Sequence, residues 1–373
     1  MILETKEFKN AAMSILAAVD SSDISLMSDM LELVTKDKTL YLNVTNQEYY
    51  VQVKFDLGIE EDLHATVNAV TFLKLLSQIT SETIEFSIKD NVLLVKGNGI
   101  YKIPLIYLKD TMVELPPIVL EHKTVDFNID TGILNSISTY NSKELVKNVV
   151  DKPVQRLYYV DNEGCITFNS GACVNNFTLP KKMKILLSGK VVKLFKLFTT
   201  ESVKFELGHD QISGDIVQTK AHFYNDNVSI TAILFSDDIL FKDISPSRIR
   251  ERAMRIYPHS ALINKQVLVS AINRLLTFMQ TSETVLSNSI FTFYDDRLVI
   301  SNKFEQYEET VRYIEKIDMK EPYVATLFLK DIKLALDNCV EQVINFSFGD
   351  DRAVVISRGN LYNVIAEFEK GIN

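Results

Sequence analysis

The clearest feature of the sequence is a run of alternating apolar and polar residues that recurs six times, each time interrupted by a short polar turn. Apolar side chains at every second position are typical of β-strands that bury one face. Asp, Asn or Gly at the interruption favours a hairpin turn, because these residues tolerate left-handed backbone. The pattern therefore predicts β-hairpins at residues 31–44, 84–96, 157–168, 203–213, 291–301 and 344–357.

A second pattern precedes most of these hairpins. Leu268, Ala271, Ile272, Leu275 and Met279 recur at the spacing of one helical face. The same spacing predicts six helices, at residues 5–19, 66–79, 131–149, 188–199, 264–279 and 328–339.

The second, fourth and sixth of these helices resemble one another, and each runs directly into a hairpin. Aligning Lys74, Lys196 and Lys333 gives a long-period internal repeat. The repeat predicts three similar domains, at 1–120, 121–250 and 251–373. Each would hold two helices packed on antiparallel sheets, which makes the predicted fold class α+β.

Composition supports a folded protein with a large core, since 46% of the 373 residues are hydrophobic and 24% are charged. The three cysteines lack a CxxC pair, which argues against a disulfide framework or a cysteine zinc cluster and favours a reducing compartment. The N-terminal segment has no signal-peptide core, and no apolar run is long enough to cross a membrane. We expect a cytoplasmic protein, in the host cytoplasm if a virus encodes it, without membrane association.

Catalytic motifs are missing from the sequence. It contains no GxSxG, P-loop or HExxH pattern, and its five histidines are dispersed. The doublets Asp295-Asp296 and Asp350-Asp351 fall at predicted hairpin tips, where solvated turn residues are the ordinary explanation. Cys173 has no histidine nearby in the sequence. We therefore expect no enzymatic activity, no metal and no cofactor.

Charge is distributed unevenly between helices and the rest of the chain. The six predicted helices carry twelve basic and four acidic residues, whereas the whole chain has a net charge of −9. If the helices share one face, that face is positive on an otherwise negative protein and would attract a polyanion. The alternative is that these lysines only solvate the outer faces of amphipathic helices.

Taken together, these features resemble the bacterial-type DNA polymerase sliding clamp, the beta subunit of the replicative polymerase. Residues 63–97 look like the second helix and following hairpin of the clamp's first domain. Residues 156–180 are similar to the clamp stretch in which paired tyrosines open a strand. The family's Thr-Asp-Gly-His-Arg-Leu motif is reduced here to Asn169–Val174, keeping only the glycine, and the family's short C-terminal tail is replaced by NVIAEFEKGIN. A divergent, virus-encoded member would explain both departures.

The resemblance implies that each chain forms half of a closed ring, as a head-to-tail homodimer with helices lining a central hole. Double-stranded DNA would pass through the hole without sequence preference, and the polymerase and clamp loader would dock through short peptide motifs. Such a ring would act as a processivity factor by holding the polymerase near its template.

Candidate residues follow for three surfaces. For DNA we predict helix cations and, from the resemblance, two tyrosines that could equally be strand packing: Lys74, Lys143, Lys147, Tyr158, Tyr159, Lys193, Lys196, Arg274 and Lys333. The resemblance places a partner-peptide pocket at Val160, Gly171, Ala172, Cys173, Val174, Pro246, Arg250, Ala366 and Phe368. It places the dimer interface at Tyr101, Ile103, Leu105, Leu276 and Phe278, for which interior packing is the alternative.

Two other functions compete with the clamp. The first is a non-catalytic, β-rich structural protein whose repeats serve only self-assembly, without DNA binding. The second is a metal-dependent hydrolase that uses the acidic turns at Asp295 and Asp350. The segregation of positive charge to the helices favours the clamp over both.

Overall fold

A computed structural model of the chain shows a mixed α and β architecture built from antiparallel sheets. It describes residues 1–21, 25–140, 157–168, 171–213, 216–236, 245–280, 288–302, 306–350 and 352–367. Three predicted site residues, Lys143, Lys147 and Phe368, lie outside these ranges.

The six predicted helices are present, the one predicted at 131–149 being described only as far as Tyr140, and a seventh, α5, was not predicted. Within the described ranges the helices are α1 (Thr5–Ser14), α2 (Ala69–Gln78), α3 (Thr131–Tyr140), α4 (Gly189–Lys193), α5 (Pro246–Met254), α6 (Lys265–Gln280) and α7 (Leu329–Asn338). Short 3₁₀ turns at Ile15–Ala18 and Leu194–Leu197 continue α1 and α4. The sequence signal for α5 is the pair Ser245-Pro246, because proline is well suited to the first position of a helix.

Strands make up most of the remaining described residues. They are β1 (Ile2–Glu4), β2 (Met30–Lys36), β3 (Thr39–Thr45), β4 (Tyr49–Asp56), β5 (His64–Asn68), β6 (Thr83–Lys89), β7 (Val92–Lys96), β8 (Ile100–Pro104), β9 (Tyr107–Leu108), β10 (Thr111–Met112), β11 (Lys123–Asp130), β12 (Leu157–Asp161), β13 (Gly164–Phe168), β14 (Ala172–Asn176), β15 (Lys184–Ser188), β16 (Ser202–Ser213), β17 (Ile216–Tyr224), β18 (Val228–Ile233), β19 (His259–Asn264), β20 (Asn288–Phe293), β21 (Arg297–Ser301), β22 (Glu308–Arg312), β23 (Tyr323–Phe328), β24 (Val343–Asp350), β25 (Ala353–Arg358) and β26 (Leu361–Ala366).

Five of the six predicted hairpins are present, and the prediction at 203–213 is wrong. That segment is one continuous strand, β16, which pairs with β11 on one side and β17 on the other. Gly208 suggested a turn, but its role is a close approach. A Cβ at this position would lie 1.8 Å from the carbonyl oxygen of His122.

The chain divides into two compact units, Met1–Asn135 with Lys190–Ser236, and Ser136–Gly189 with Asp237–Asn373. The first unit contains a four-stranded sheet, β1-β6-β7-β8, and an eight-stranded sheet, β11-β16-β17-β18-β4-β3-β2-β5. Phe8 packs edge-to-face on Phe86 in this unit, which ties α1 to the four-stranded sheet.

The second unit repeats this plan. Its eight-stranded sheet has the order β15-β12-β13-β14-β26-β25-β24-β19, and its four-stranded sheet has the order β22-β21-β20-β23. Helices α6 and α7 pack together over one large core, whose fully buried members include Leu268, Phe291 and Phe346. A second core, on the other face of the eight-stranded sheet, lies under α5.

The internal repeat is visible in the backbone hydrogen bonds. The first helix of each repeat starts with an N–H that donates to the residue before a hairpin: Thr5 to Glu82, Thr131 to Glu201 and Lys265 to Gln342. The second helix of each repeat ends with a matching bond from Ile79, Phe198 and Cys339 to the residue three positions earlier. These bonds correct the alignment used above, because they place Lys74 in line with Lys193 rather than Lys196. The domain boundaries at 120 and 250 stay a prediction.

Candidate nucleic-acid and partner interfaces

Three of the predicted DNA cations form an exposed group in the first unit. Lys74 lies on α2, Lys193 ends α4, and Lys196 lies in the 3₁₀ turn that follows. All three side chains are exposed, and none contacts a carboxylate in the described part of the chain. Helix α2 and the turn Leu194–Leu197 both contact the turn Ile15–Ala18. We call Lys74, Lys193 and Lys196 the cationic helix surface.

Two other predicted cations are paired with acidic residues. Arg274 on α6 donates from Nε and Nη2 to both carboxylate oxygens of Glu309, at 2.6 and 2.7 Å. Lys333 on α7 donates to Asp337 one turn later, at 2.6 Å. These carboxylates neutralise Arg274 and Lys333, whereas the lysines of the cationic helix surface have no such partner among the described residues.

Part of the positive charge on the helices has a structural purpose that the sequence did not reveal. Lys9 on α1 donates to the carbonyls of Ser77 and Ile79 at the end of α2. Lys265 on α6 donates to the carbonyl of Cys339 at the end of α7. A cation at a helix C-terminus satisfies free carbonyls and complements the helix dipole. The charge count alone therefore overstated the cations available for DNA.

The two tyrosines carried over from the resemblance are buried on opposite faces of their sheet. Tyr158 is 1% exposed, and burial raises its pKa far above the usual range. Tyr159 belongs to the core under α5, on the face away from α6 and α7. Both placements fit strand packing, and neither hydroxyl is offered to a ligand on the helix side.

The predicted partner-peptide pocket is split by the alternation of β14. Cys173 faces the core shared with α6 and α7, whereas Ala172 and Val174 face α5. Val160 alternates with Tyr159 and so also points away from α5. Cys173 and Val160 therefore cannot line one pocket with residues of α5, and this part of the prediction is corrected.

Ala172, Val174 and, by alternation with Val364, Ala366 lie on the sheet face that α5 covers. Helix α5, which carries Pro246 and Arg250, packs against β14 and β26. Ala366 at the end of β26 is exposed, and Pro246 is half-buried. Gly171 lets β26 come close, since a Cβ there would lie 2.5 Å from the carbonyl oxygen of Val364.

Arg250 has a structural partner on this face. Its Nη1 and Nη2 donate to the two carboxylate oxygens of Asp161, at 2.8 and 2.6 Å, and Nη1 also reaches Glu163 at 3.2 Å. The arginine side chain is 7% exposed, and its Nε has no hydrogen-bond partner in the described part of the chain. The Arg250–Asp161 pair thus fixes α5 to the turn between β12 and β13.

The predicted interface residues lie on or just after the end strand β8, and on α6, which packs against the end strand β22. Ile103 and Leu105 are buried within their own chain, so the interior-packing alternative holds for them. Tyr101 is half-buried on β8, and its neighbour Ile100 is 69% exposed. Leu276 packs against the core of the second unit. Phe278 is 46% exposed, with its ring edge-on to Tyr307 just before β22.

A serine, a histidine and a glutamate form a hydrogen-bonded chain that no sequence motif revealed. Ser229 Oγ lies 2.8 Å from Nε2 of His222, whose Nδ1 lies 3.3 Å from Glu206. Burial lowers the pKa of His222, although Glu206 opposes this effect. Ser229 sits in β18 between two paired strands, so its backbone amide belongs to the sheet ladder rather than to an oxyanion hole. The arrangement reads as a structural network.

The acidic turn residues are engaged with cations. Asp296 accepts from Arg297 at 2.8 Å, and Asp295 lies 3.5 Å from Lys316. Within the described residues, no group of three or more His, Cys, Asp and Glu side chains is arranged to hold a metal ion. No helix in the described ranges is both long and apolar enough to span a bilayer.

Comparison with known proteins gives matches in structure only. No protein-family model matches the sequence, and no curated protein sequence matches it. Solved structures do match. The DNA polymerase III beta subunit of Thermotoga maritima has a TM-score of 0.79 at 12% identity, covering 99% of this chain and 98% of that one. The beta subunit of Pseudomonas aeruginosa has a TM-score of 0.79 at 14% identity, covering 99% of both chains.

The DNA polymerase sliding clamp of Bacillus subtilis is similar as well, with a TM-score of 0.75 at 14% identity over 99% of this chain and 98% of that one. The likeness extends over nearly the whole length in each case, and the low identity agrees with a divergent sequence. The chain therefore has the fold of the DNA polymerase III beta subunits and DNA polymerase sliding clamps.

Proposed function

We propose that this protein is a DNA sliding clamp, a non-catalytic homodimeric ring that encircles duplex DNA and tethers a DNA polymerase. The observation that carries the proposal is the match to DNA polymerase III beta subunits over 99% of the chain. The cationic helix surface supports it, because exposed lysines attract phosphates at long range and without sequence preference.

The internal repeat supports a specific joint between two copies. Each eight-stranded sheet consists of two four-stranded halves joined at their edges, by β18–β4 in the first unit and by β14–β26 in the second. The four-stranded sheets β1-β6-β7-β8 and β22-β21-β20-β23 are the halves left over. Strands β8 and β22 occupy the positions that make the joints elsewhere, and each pairs on one side only among the described strands. We place β8 of one copy against β22 of the other.

The register of this joint follows from equivalent positions. In each repeat, one path starts at the third residue after Glu82, Glu201 or Gln342 and follows the paired residues from strand to strand across the sheet. It ends on the last strand at Ile100, Ser229 and Tyr362, respectively. A second path starts at equivalent positions in the strands before α2, α4 and α7 and follows the paired residues across the other half-sheet. It ends at Gln52, Val174 and Glu308, respectively.

Both joints within the chain pair these positions in the same way, Ser229 with Gln52 and Tyr362 with Val174. The third joint therefore pairs Ile100 with Glu308 of the partner copy. In that register Tyr101 faces Tyr307, and Lys102 faces Gln306 and lies diagonal to Glu308. An opposite-charge pair at the diagonal stabilises an antiparallel ladder.

The register gives a test by cross-linking. Lys102→Cys with Gln306→Cys should form an intermolecular disulfide, whereas Lys102→Cys with Thr310→Cys, on the same strand face but four residues out of register, should not. The native cysteines are buried and do not interfere. Protomers cross-linked around a circular plasmid should stay on it at high salt and leave after linearisation. Release from the intact circle at high salt would argue against encirclement.

A partner peptide belongs to the same proposal. We place it on the α5 face, at Gly171, Ala172, Val174, Pro246, Arg250 and Ala366, where polymerase and clamp-loader segments would dock. Self-assembly without DNA binding is the competing function. It predicts large open assemblies in light scattering, whereas the clamp predicts a particle of twice the 42.5 kDa chain mass.

A further inference from the structure

The Arg274–Glu309 pair lies where the proposed joint between copies would form. Glu309 is on β22, and α6, which carries Arg274, packs against that strand. The guanidinium of Arg274 donates to both carboxylate oxygens of Glu309, at 2.6 and 2.7 Å. The carboxylate side is the more covered of the two, with 21% of the Glu309 side chain exposed against 61% for Arg274.

The repeat shows what this position holds at the other joints. The residues equivalent to Glu309 are Val53 and Asn175, which are 3% and 5% exposed. Across their joints they face Val228 and Leu361, which are also buried. At the third joint the pair becomes Glu309 with Gly99 of the partner copy. At this joint a carboxylate replaces the apolar or amide side chain of the other two joints, and the residue opposite it, glycine, has no side chain.

Such a carboxylate needs a charged partner, because an uncompensated charge taken out of water is costly. Asn175 shows the same solution on a smaller scale, since its Nδ2 donates to Ser136 Oγ on α3, the first helix of its repeat. Arg274 on α6, the first helix of the third repeat, does this for Glu309. A guanidinium suits the task because its planar donors match both carboxylate oxygens.

We infer that Arg274 is a positioning residue of the joint between copies: it neutralises and orients Glu309 against β8 of the partner, and it does not contribute to DNA binding. This inference rests on the proposed dimer. It gives the predicted cations separate roles: the cationic helix surface faces DNA, and Arg274 faces the joint between copies.

The test measures dimer dissociation and DNA binding separately. Dimer dissociation constants are measured by sedimentation for wild type, R274A, R274K, E309Q and the double variant R274M/E309L. R274A should weaken the dimer at least tenfold and R274K by less. The double variant should recover most of the loss, because it removes the charge together with its partner. K333A is the matched control, since Lys333 is also an ion-paired helix cation and should leave the dimer unchanged.

DNA binding is then measured on dimers locked by the Lys102→Cys and Gln306→Cys disulfide, so that a weaker joint cannot lower it. R274A should leave the affinity and its salt dependence unchanged there. Two outcomes would overturn the inference alone. Either R274A leaves the dimer dissociation constant at its wild-type value, or the locked R274A dimer binds DNA with a reduced salt dependence. A wild-type chain that stays monomeric would overturn the proposed ring together with the inference.

Discussion

Lys265, the first residue of α6, donates from Nζ to the main-chain carbonyl of Cys339, the residue that ends α7. Lys9 makes the corresponding bond in the first repeat, to the carbonyl of Ile79. Ile79 and Cys339 occupy equivalent positions, although Lys9 and Lys265 do not. The two lysines thus reach the same acceptor from different turns of the first helix, which indicates that capping this helix end matters more than which residue does it.

Replacing either lysine by methionine, which keeps the aliphatic stem, should cost about 1 kcal/mol of unfolding free energy through loss of a C-terminal cation. DNA affinity should not change, because these ammonium groups are bound to carbonyls. Urea unfolding and a DNA-binding titration at one salt concentration check the two parts. A loss of DNA affinity without a loss of stability would show that Lys9 and Lys265 bind DNA rather than cap the helices.

The cationic helix surface should account for the salt-dependent part of DNA binding. Changing Lys74, Lys193 and Lys196 together to alanine removes at most three phosphate contacts per protomer and six per dimeric ring, so the slope of log K against log salt should fall by up to about 5.4. Titrations at four salt concentrations measure the slope. The control changes Lys36, Lys38 and Lys89, three exposed lysines at or beside hairpin tips of the same unit, and should leave the slope nearly unchanged because their charge is placed away from the helices.

The strands and helices could be predicted from the sequence because each element buries one face. A single buried face gives apolar residues a period of two in strands and of 3.6 in helices. Prediction failed where a residue's role depends on a distant partner. Gly208 suggested a turn, yet it makes room for the carbonyl of His122, the residue before the neighbouring strand β11. Arg274 looked like a free helix cation, and Glu309, its partner, lies 35 positions further along. Neither pairing has a sequence signature.

The burial of a candidate residue was the second source of error. Tyr158 and Tyr159 are both polar-tipped aromatics in a strand, and alternation alone does not say that both faces of the sheet are covered. Helix α5 covers the second face. Its short, basic sequence offers only Ile249 and Ala253, one turn apart, as an apolar face, so the pocket residues were assigned without knowing which of them share a face of the sheet.

Removing the Arg250 side chain should destabilise the second unit. R250A leaves the buried carboxylate of Asp161 without its two charged donors, and breaking a buried pair in this way costs about 3–5 kcal/mol. Urea unfolding measures the effect. R248A, on the exposed side of the same helix, is the control and should change stability by less than about 0.5 kcal/mol. Equal, small effects from both variants would show that Arg250 is free to serve a ligand.

Gly208→Ala should be among the most damaging small substitutions in the chain. The added methyl would lie 1.8 Å from the main-chain oxygen of His122, so either β11 or β16 has to move. We expect a loss of about 1–3 kcal/mol, the usual range for overpacking. Gly58→Ala is the control, since nothing lies within 4 Å of its Cβ and only its positive φ opposes the change. Similar losses from both variants would mean that backbone conformation, rather than the close approach, decides.

The carboxylate of Glu206 should make stability depend on pH. Burial by itself raises its pKa, but donation from Lys123, Tyr224 and His222 outweighs burial, so the net pKa is lowered. The folded chain therefore holds Glu206 ionised at pH values where the unfolded chain has begun to bind a proton. Its stabilising effect is full above the ordinary glutamate pKa of about 4.3 and disappears as the pH falls through the lower folded value.

E206Q removes the charge and should destabilise the protein at pH 7, and the difference from wild type should shrink as the pH falls below about 4.3. Urea midpoints at pH 7, 5, 4 and 3 measure this difference directly, and other acid-sensitive groups cancel because both proteins share them. The control is E201Q, whose side chain is exposed and which should track wild type at every pH. A gap between E206Q and wild type that stays constant from pH 7 to 3 would mean that the glutamate acts through its shape rather than through its charge.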